Sequence, residues 1–176
     1  YTGKLSYRQT TRNGTVSNLV NFGVHSDKWG RDLIKNFNIT PRKTFTIKPP
    51  NLNDELSFYY LKGAINGDGT IAFAPDKGVT VRICGASKDL IYWVRDFCEK
   101  YFGHYNLKGV RKNNIYEHKQ YYTFTMGGIR GCFLFDYLKK LETPNMPRKW
   151  DRPEVLEYVE KQIKKYNDLQ TLKNQL

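Results

Sequence analysis

Cysteine, histidine, methionine and acidic side chains are all scarce in this chain of 176 residues. The three cysteines, Cys84, Cys98 and Cys132, have neither metal-ligand spacing nor the spacing of a disulfide ladder. Two of them sit in apolar helical stretches and read as small buried hydrophobes of a reducing compartment. His25, His104 and His118 are scattered, so no His/Cys cluster is available for a zinc or His-Cys nuclease centre. No apolar run approaches the roughly 20 residues that span a bilayer, which excludes a helical membrane span. There is no signal peptide and no initiator Met, so Tyr1 is not expected to be where the gene product begins. Acidic residues number 17 against 29 Lys and Arg, a net charge of +12. So large an excess points to a polyanionic partner, nucleic acid before an acidic membrane surface.

What is present is enough for a packed interior: 39% hydrophobic residues and 15% aromatic. Disorder is therefore excluded. The charge is uneven. Residues 1–50 hold nine Lys/Arg against two Asp/Glu, residues 51–126 ten against eight, and residues 127–176 ten against seven. Acids collect in the expected helices and cations in the expected strands, as for a sheet laid against phosphates.

The local pattern predicts strands at 4–12 and 15–24 joined by an Asn13-Gly14 turn. A Ser26-capped helix follows, apolar at Trp29, Leu33, Ile34 and Phe37. After a Pro-rich connector, Thr40 to Pro50, a helix over 55–67 carries Leu56, Tyr59, Tyr60, Gly63 and Ala64 on one face. Strands are expected near 70–75 and 78–84 about Pro75-Asp76-Lys77-Gly78. Ser87 then caps a helix with Leu90, Ile91, Val94, Phe97, Cys98 and Tyr101 at spacings of three and four. A hairpin over about 105–125, a helix carrying Ile129 to Leu141, and a last helix opened by Asp151 and Pro153 complete the chain. Hairpin, helix and a Thr-Pro…Arg-Lys segment occur twice, ending at Lys43 and at Lys149. The full unit is α-β-β-α-β-β-α, and the first copy lacks its opening half.

One stretch breaks a local rule. Residues 61–69 read Leu-Lys-Gly-Ala-Ile-Asn-Gly-Asp-Gly. Gly63 and Gly67 leave a groove along one helix face, open to close approach by a second helix. Gly69 suits a left-handed residue that stops a helix. Asp68, however, sits at the negative end of the helix dipole, a placement tolerable where a cation sits nearby and otherwise that of a solvated carboxylate at an ordinary helix end.

This stretch resembles the LAGLIDADG motif of homing endonucleases, and the α-β-β-α-β-β-α order is that family's repeat. The segment LIKNFNITPRKTFTIKPP resembles the inter-repeat connector of two-motif members, notably phage and bacterial ones. The segment LETPNMPRKW resembles the stretch holding the family's basic active-site residue. The resemblance implies an α+β fold with saddle-shaped antiparallel sheets. It divides the chain into a half repeat with linker (1–50), a complete second repeat (51–150) and a C-terminal helix (151–176). It implies metal-dependent double-strand cleavage of a specific DNA site, serving the mobility of an intron or similar element. Asp68 matches the metal-binding acid, with Gly67 beside it in the metal site; Lys149 matches the basic residue near the attacking water, and Lys43 its partner from the first repeat. Asn66 replaces the motif's earlier Asp. The cofactor implied is Mg²⁺, a hard ion that takes few carboxylates and several waters and phosphate oxygens. The alternative on the same fold is a non-catalytic DNA or RNA binder, a maturase or transcription regulator.

A two-stranded ribbon enters the major groove with alternate side chains toward the bases. The residues expected to touch duplex DNA are Lys4, Arg8, Arg12, Thr70, Ala72, Arg82, Lys108, Arg111, Lys119, Tyr121 and Thr123, with Arg82 the best placed to grip a guanine. Gly63, Ala64 and Gly67 are expected to meet a second glycine-bearing helix. Its source is expected to be a missing N-terminal segment or another chain, ahead of a homodimer, which makes these 176 residues the C-terminal part of a longer two-motif protein. The expected setting is an intracellular reducing compartment: bacterial or phage-infected cytoplasm, or an organelle matrix.

Overall fold

The computed structural model describes residues 3–12, 14–37, 44–105 and 115–174, and the statements below concern these. The chain divides into two compact units, 1–40 and 41–176. The division falls ahead of the expected one at residue 50. The C-terminal helix belongs to the second unit, because Val155 and Val159 are buried in its core.

In the first unit, β1 (Gly3–Arg12) and β2 (Thr15–Val24) form an antiparallel ribbon. The turn between them passes through Gly14 at φ 76°, a left-handed conformation that glycine adopts without strain. Helix α1 (Asp27–Phe37) follows, its Trp29 amide donating to Ser26 Oγ at 3.2 Å. Period-two alternation makes the ribbon two-faced. The cross-strand pairs Leu5–Phe22 and Tyr7–Val20 lie on one face, while Lys4, Ser6, Arg8 and Thr10 lie on the other. The apolar face is exposed, Tyr7 by 77% and Phe22 by 64%.

The second unit runs α2 (Asp54–Asp68), β3 (Gly69–Ala74), β4 (Gly78–Gly85), α3 (Lys88–Phe102), β5 (Ile115–Glu117), β6 (Tyr122–Gly127) and α4 (Gly128–Lys140). A one-turn helix α5 (Pro147–Trp150) and a long helix α6 (Pro153–Asn174) complete it. The strands make one antiparallel sheet in the order β3-β4-β6-β5. The fold is therefore α+β, with the element order α-β-β-α-β-β-α between residues 54 and 140. Ile71, Val79, Val81, Ile83, Phe124 and Met126 point from one side of the sheet into a core closed by α2, α3 and α4. Ser87 caps α3 by accepting from the Leu90 amide at 3.3 Å, and Asn53 caps α2 by accepting from Leu56 at 2.9 Å.

Two expectations about glycine and alanine are corrected. Gly69 does not adopt a left-handed conformation; its φ is −87° and the backbone is extended. It is glycine for lack of room, since a methyl group there would stand 2.6 Å from the Ile65 Cα. Ala64 leaves the face shared by Gly63 and Gly67 and packs against the core. Cys98 and Cys132 are buried as expected, whereas Cys84 is exposed on the sheet. Burial pushes both buried thiols up, Cys132 to about 12. No helix among the described residues is long and apolar enough to cross a membrane.

Candidate nucleic-acid interface

Helix α2 buries Phe58, Leu61 and Ile65 on the core side and runs straight into edge strand β3, placing Asp68 at the junction. The Asp68 carboxylate is exposed and lines a cavity of about 260 Å³ together with Thr44, Ala64, Cys84 and Ser87. A cation stands at this helix end as a side chain. Lys149, on α5, is 6% exposed and donates to the carbonyls of Ile65 (2.7 Å), Asn66 (2.8 Å) and Gly69 (2.7 Å). An ammonium has three N–H donors, and these bonds use all of them. Lys149 thus ties the last turn of α2 to the first residue of β3, and its charge opposes the negative end of the dipole. Burial lowers its pKa; nearby Arg148 lowers it further, and Asp68 works in the opposite direction.

Three more residues hold the 141–150 segment to α2. Trp150 donates from Nε1 to Asn66 Oδ1 at 2.5 Å, and Asn66 Nδ2 donates to the Pro144 carbonyl at 3.4 Å. Lys62, 1% exposed, donates to the Leu141 carbonyl at 2.9 Å and lies 5.8 Å from the centre of the Trp150 ring. Burial lowers the pKa of Lys62, helped by Lys139 and opposed by Asp151. The roles of Lys62, Asn66 and Trp150 are absent from the sequence reading. The available signal was Lys62 itself, a cation flanked by Leu61 and Ile65 on the core-facing arc of an amphipathic helix.

The opposite arc of α2 is open. A methyl group added at Gly63 or Gly67 meets no atom within 4 Å, and Leu56 on the same arc is 49% exposed. Among the described residues no three His, Cys, Asp or Glu side chains converge. Asp68 offers one exposed carboxylate with a backbone carbonyl beside it, hard oxygen donors of the kind Mg²⁺ takes.

The sheet face turned away from the core brings the strand residues together. Register pairs Thr70 with Arg82, Ala72 with Thr80, Arg82 with Thr125, Cys84 with Thr123, and Tyr116 with Thr123. Directly paired residues share a face, so Thr70, Ala72, Arg82 and Thr123 lie on one side of the sheet; Thr70, Ala72 and Arg82 are exposed there, whereas Thr123, expected to touch DNA, is only 6% exposed. Arg82 occupies its centre, and Lys119 and Tyr121 lie exposed in the β5–β6 turn. Lys4 and Arg8 share the polar face of β1, and Arg12 pairs with Thr15 at its end; these belong to the first unit. Lys43, Lys108 and Arg111 lie outside the described residues. Comparison with protein-family models, with curated proteins and with solved structures finds no match for this chain.

Proposed function

We propose that this chain is a DNA-binding half of a metal-dependent, sequence-specific endonuclease of the LAGLIDADG kind. In this reading residues 51–150 are a complete repeat, residues 1–50 half of another, and the sheets form a saddle over duplex DNA. The observation that carries it is the junction of α2 and β3. An exposed carboxylate ends a helix whose glycine face is open, and the strand that follows begins a polar sheet face centred on Arg82. Arg82 would read a base edge while lysines hold phosphates. Asp68 and the Gly67 carbonyl would hold Mg²⁺. When bound, such an ion polarises a scissile phosphate and supplies hydroxide at neutral pH. One carboxylate serves one strand, so a second glycine-bearing helix, laid on Gly63 and Gly67, would bring the other.

Lys149 gives the second reading its support. With all three donors committed to the carbonyls of Ile65, Asn66 and Gly69, it has none to offer an attacking water, which favours a non-catalytic DNA or RNA binder. One experiment separates the two. Duplex targets enriched from a random library by the chain are offered, with Mg²⁺, to two copies joined in tandem. The endonuclease reading expects double-strand cleavage, lost in Asp68→Asn with binding retained or tighter, since a carboxylate no longer repels phosphate. Enrichment without cleavage establishes the binder. No enrichment of any duplex sinks the endonuclease reading.

A further inference from the structure

The exposed sheet face is concave where β4, β6 and β5 meet. Arg82, Cys84, Tyr116, His118, Tyr121 and Thr125 border a groove there of about 300 Å³. That is the lower end of the range for ligand pockets, room for one base and its sugar rather than a larger ligand. Its aromatic rings are held in place but not covered. The Tyr121 ring stacks on His118 at 4.2 Å and 17°, and the turn carrying both closes with the His118 amide donating to the Tyr121 carbonyl at 2.9 Å. Tyr121 nevertheless keeps 44% of its surface exposed and Tyr116 52%.

The polar groups are similarly placed. Cys84 Sγ and Thr123 Oγ1 satisfy each other at 3.4 Å. Thr125 Oγ1 is shielded from solvent and has no hydrogen-bond partner among the described residues. Arg82, its register neighbour, forms no ion pair among the described residues. Two tyrosine faces and a cation therefore converge on one cavity. Paired bases in a duplex show a protein only their edges, because their faces are stacked on one another. Aromatic rings on an open antiparallel sheet gain contact only with bases taken out of the stack.

We propose that this groove binds an unpaired base of a DNA strand, a bulged or displaced nucleotide. The base stacks on Tyr121 or Tyr116, and Arg82 holds its edge or phosphate. The choice of DNA rests on the function proposed above.

The test titrates the full chain into two duplexes, one with 2-aminopurine as a single-base bulge and one with it paired in the same sequence. Stacking on tyrosine is expected to quench the bulged fluorophore and to tighten binding roughly 5- to 150-fold over the paired duplex. The Tyr116→Leu/Tyr121→Leu double variant should lose this advantage, binding the bulged duplex no more tightly than it binds the paired one, and Tyr121→Phe should keep it. Equal affinity for the two duplexes, or an advantage that survives the double variant, overturns the proposal. Tighter binding of an RNA strand with the same unpaired base overturns the assignment to DNA. Loss of the bulge preference alone leaves the endonuclease reading standing, whereas failure to bind either duplex removes both.

Discussion

Replacing Lys149 by Met removes an ammonium and keeps an unbranched apolar stem of similar length. Three charge-assisted hydrogen bonds at about 1.5–3 kcal/mol each set a ceiling near 5–9 kcal/mol. Against this, the several kcal/mol spent stripping water from the ammonium are recovered when the charge is deleted. The balance, with three carbonyls each losing a donor, is a loss of about 3 kcal/mol, the scale seen when one member of a buried pair is removed. For a unit of this size that lowers the melting temperature by about 10 °C. Thermal unfolding followed by circular dichroism, without DNA or metal, measures it. A group acting only on the attacking water would slow cleavage and leave this curve alone. A Lys149→Met chain melting within about 1 °C of the parent would refute the capping role.

Gly63→Ala should stabilise the isolated chain by about 1 kcal/mol in urea unfolding, because the helix gains propensity and the new methyl meets open space. Destabilisation would show that this face is covered. Gly69→Ala should cost about 2–3 kcal/mol, since the methyl collides with the backbone of Ile65 and Arg82 rather than with a movable side chain; a neutral result would contradict the close approach of α2 and β4. The last prediction concerns pH. Burial puts the folded pKa of Lys62 below the unfolded value of 10.5. Between the two the unfolded chain binds more protons, so the contribution of Lys62 to stability rises with pH. The stability difference between the parent and Lys62→Met should therefore grow from neutrality toward the lysine range. A flat difference would oppose this.

Most of the helices and strands were legible in the sequence because each is set by local chemistry; the one-turn helix α5 was not, and part of the hairpin expected over 105–125 lies outside the described residues. Asn13-Gly14 demands a tight turn, Ser87 a helix start, and the 90–101 spacing an amphipathic helix. The shared face of Thr70, Ala72 and Arg82 was equally legible, because strand side chains alternate and β3–β4 register follows from a short turn. The role of Lys149 was not. Sequence gives its type and its place after Pro147, but only packing brings its Nζ to the end of a helix about eighty residues earlier. The same holds for Asn66 with Trp150, for Lys62 with Leu141, and for Ala64, which turns to the core because α2 rotates to bury Phe58, Leu61 and Ile65. Gly69 shows the division most simply. Its identity suggested a left-handed stop, a local reason, yet the structure uses it for a close approach to Ile65 and Arg82 that no local pattern contains. Local propensity determined the elements and their faces; long-range burial decided which polar groups met.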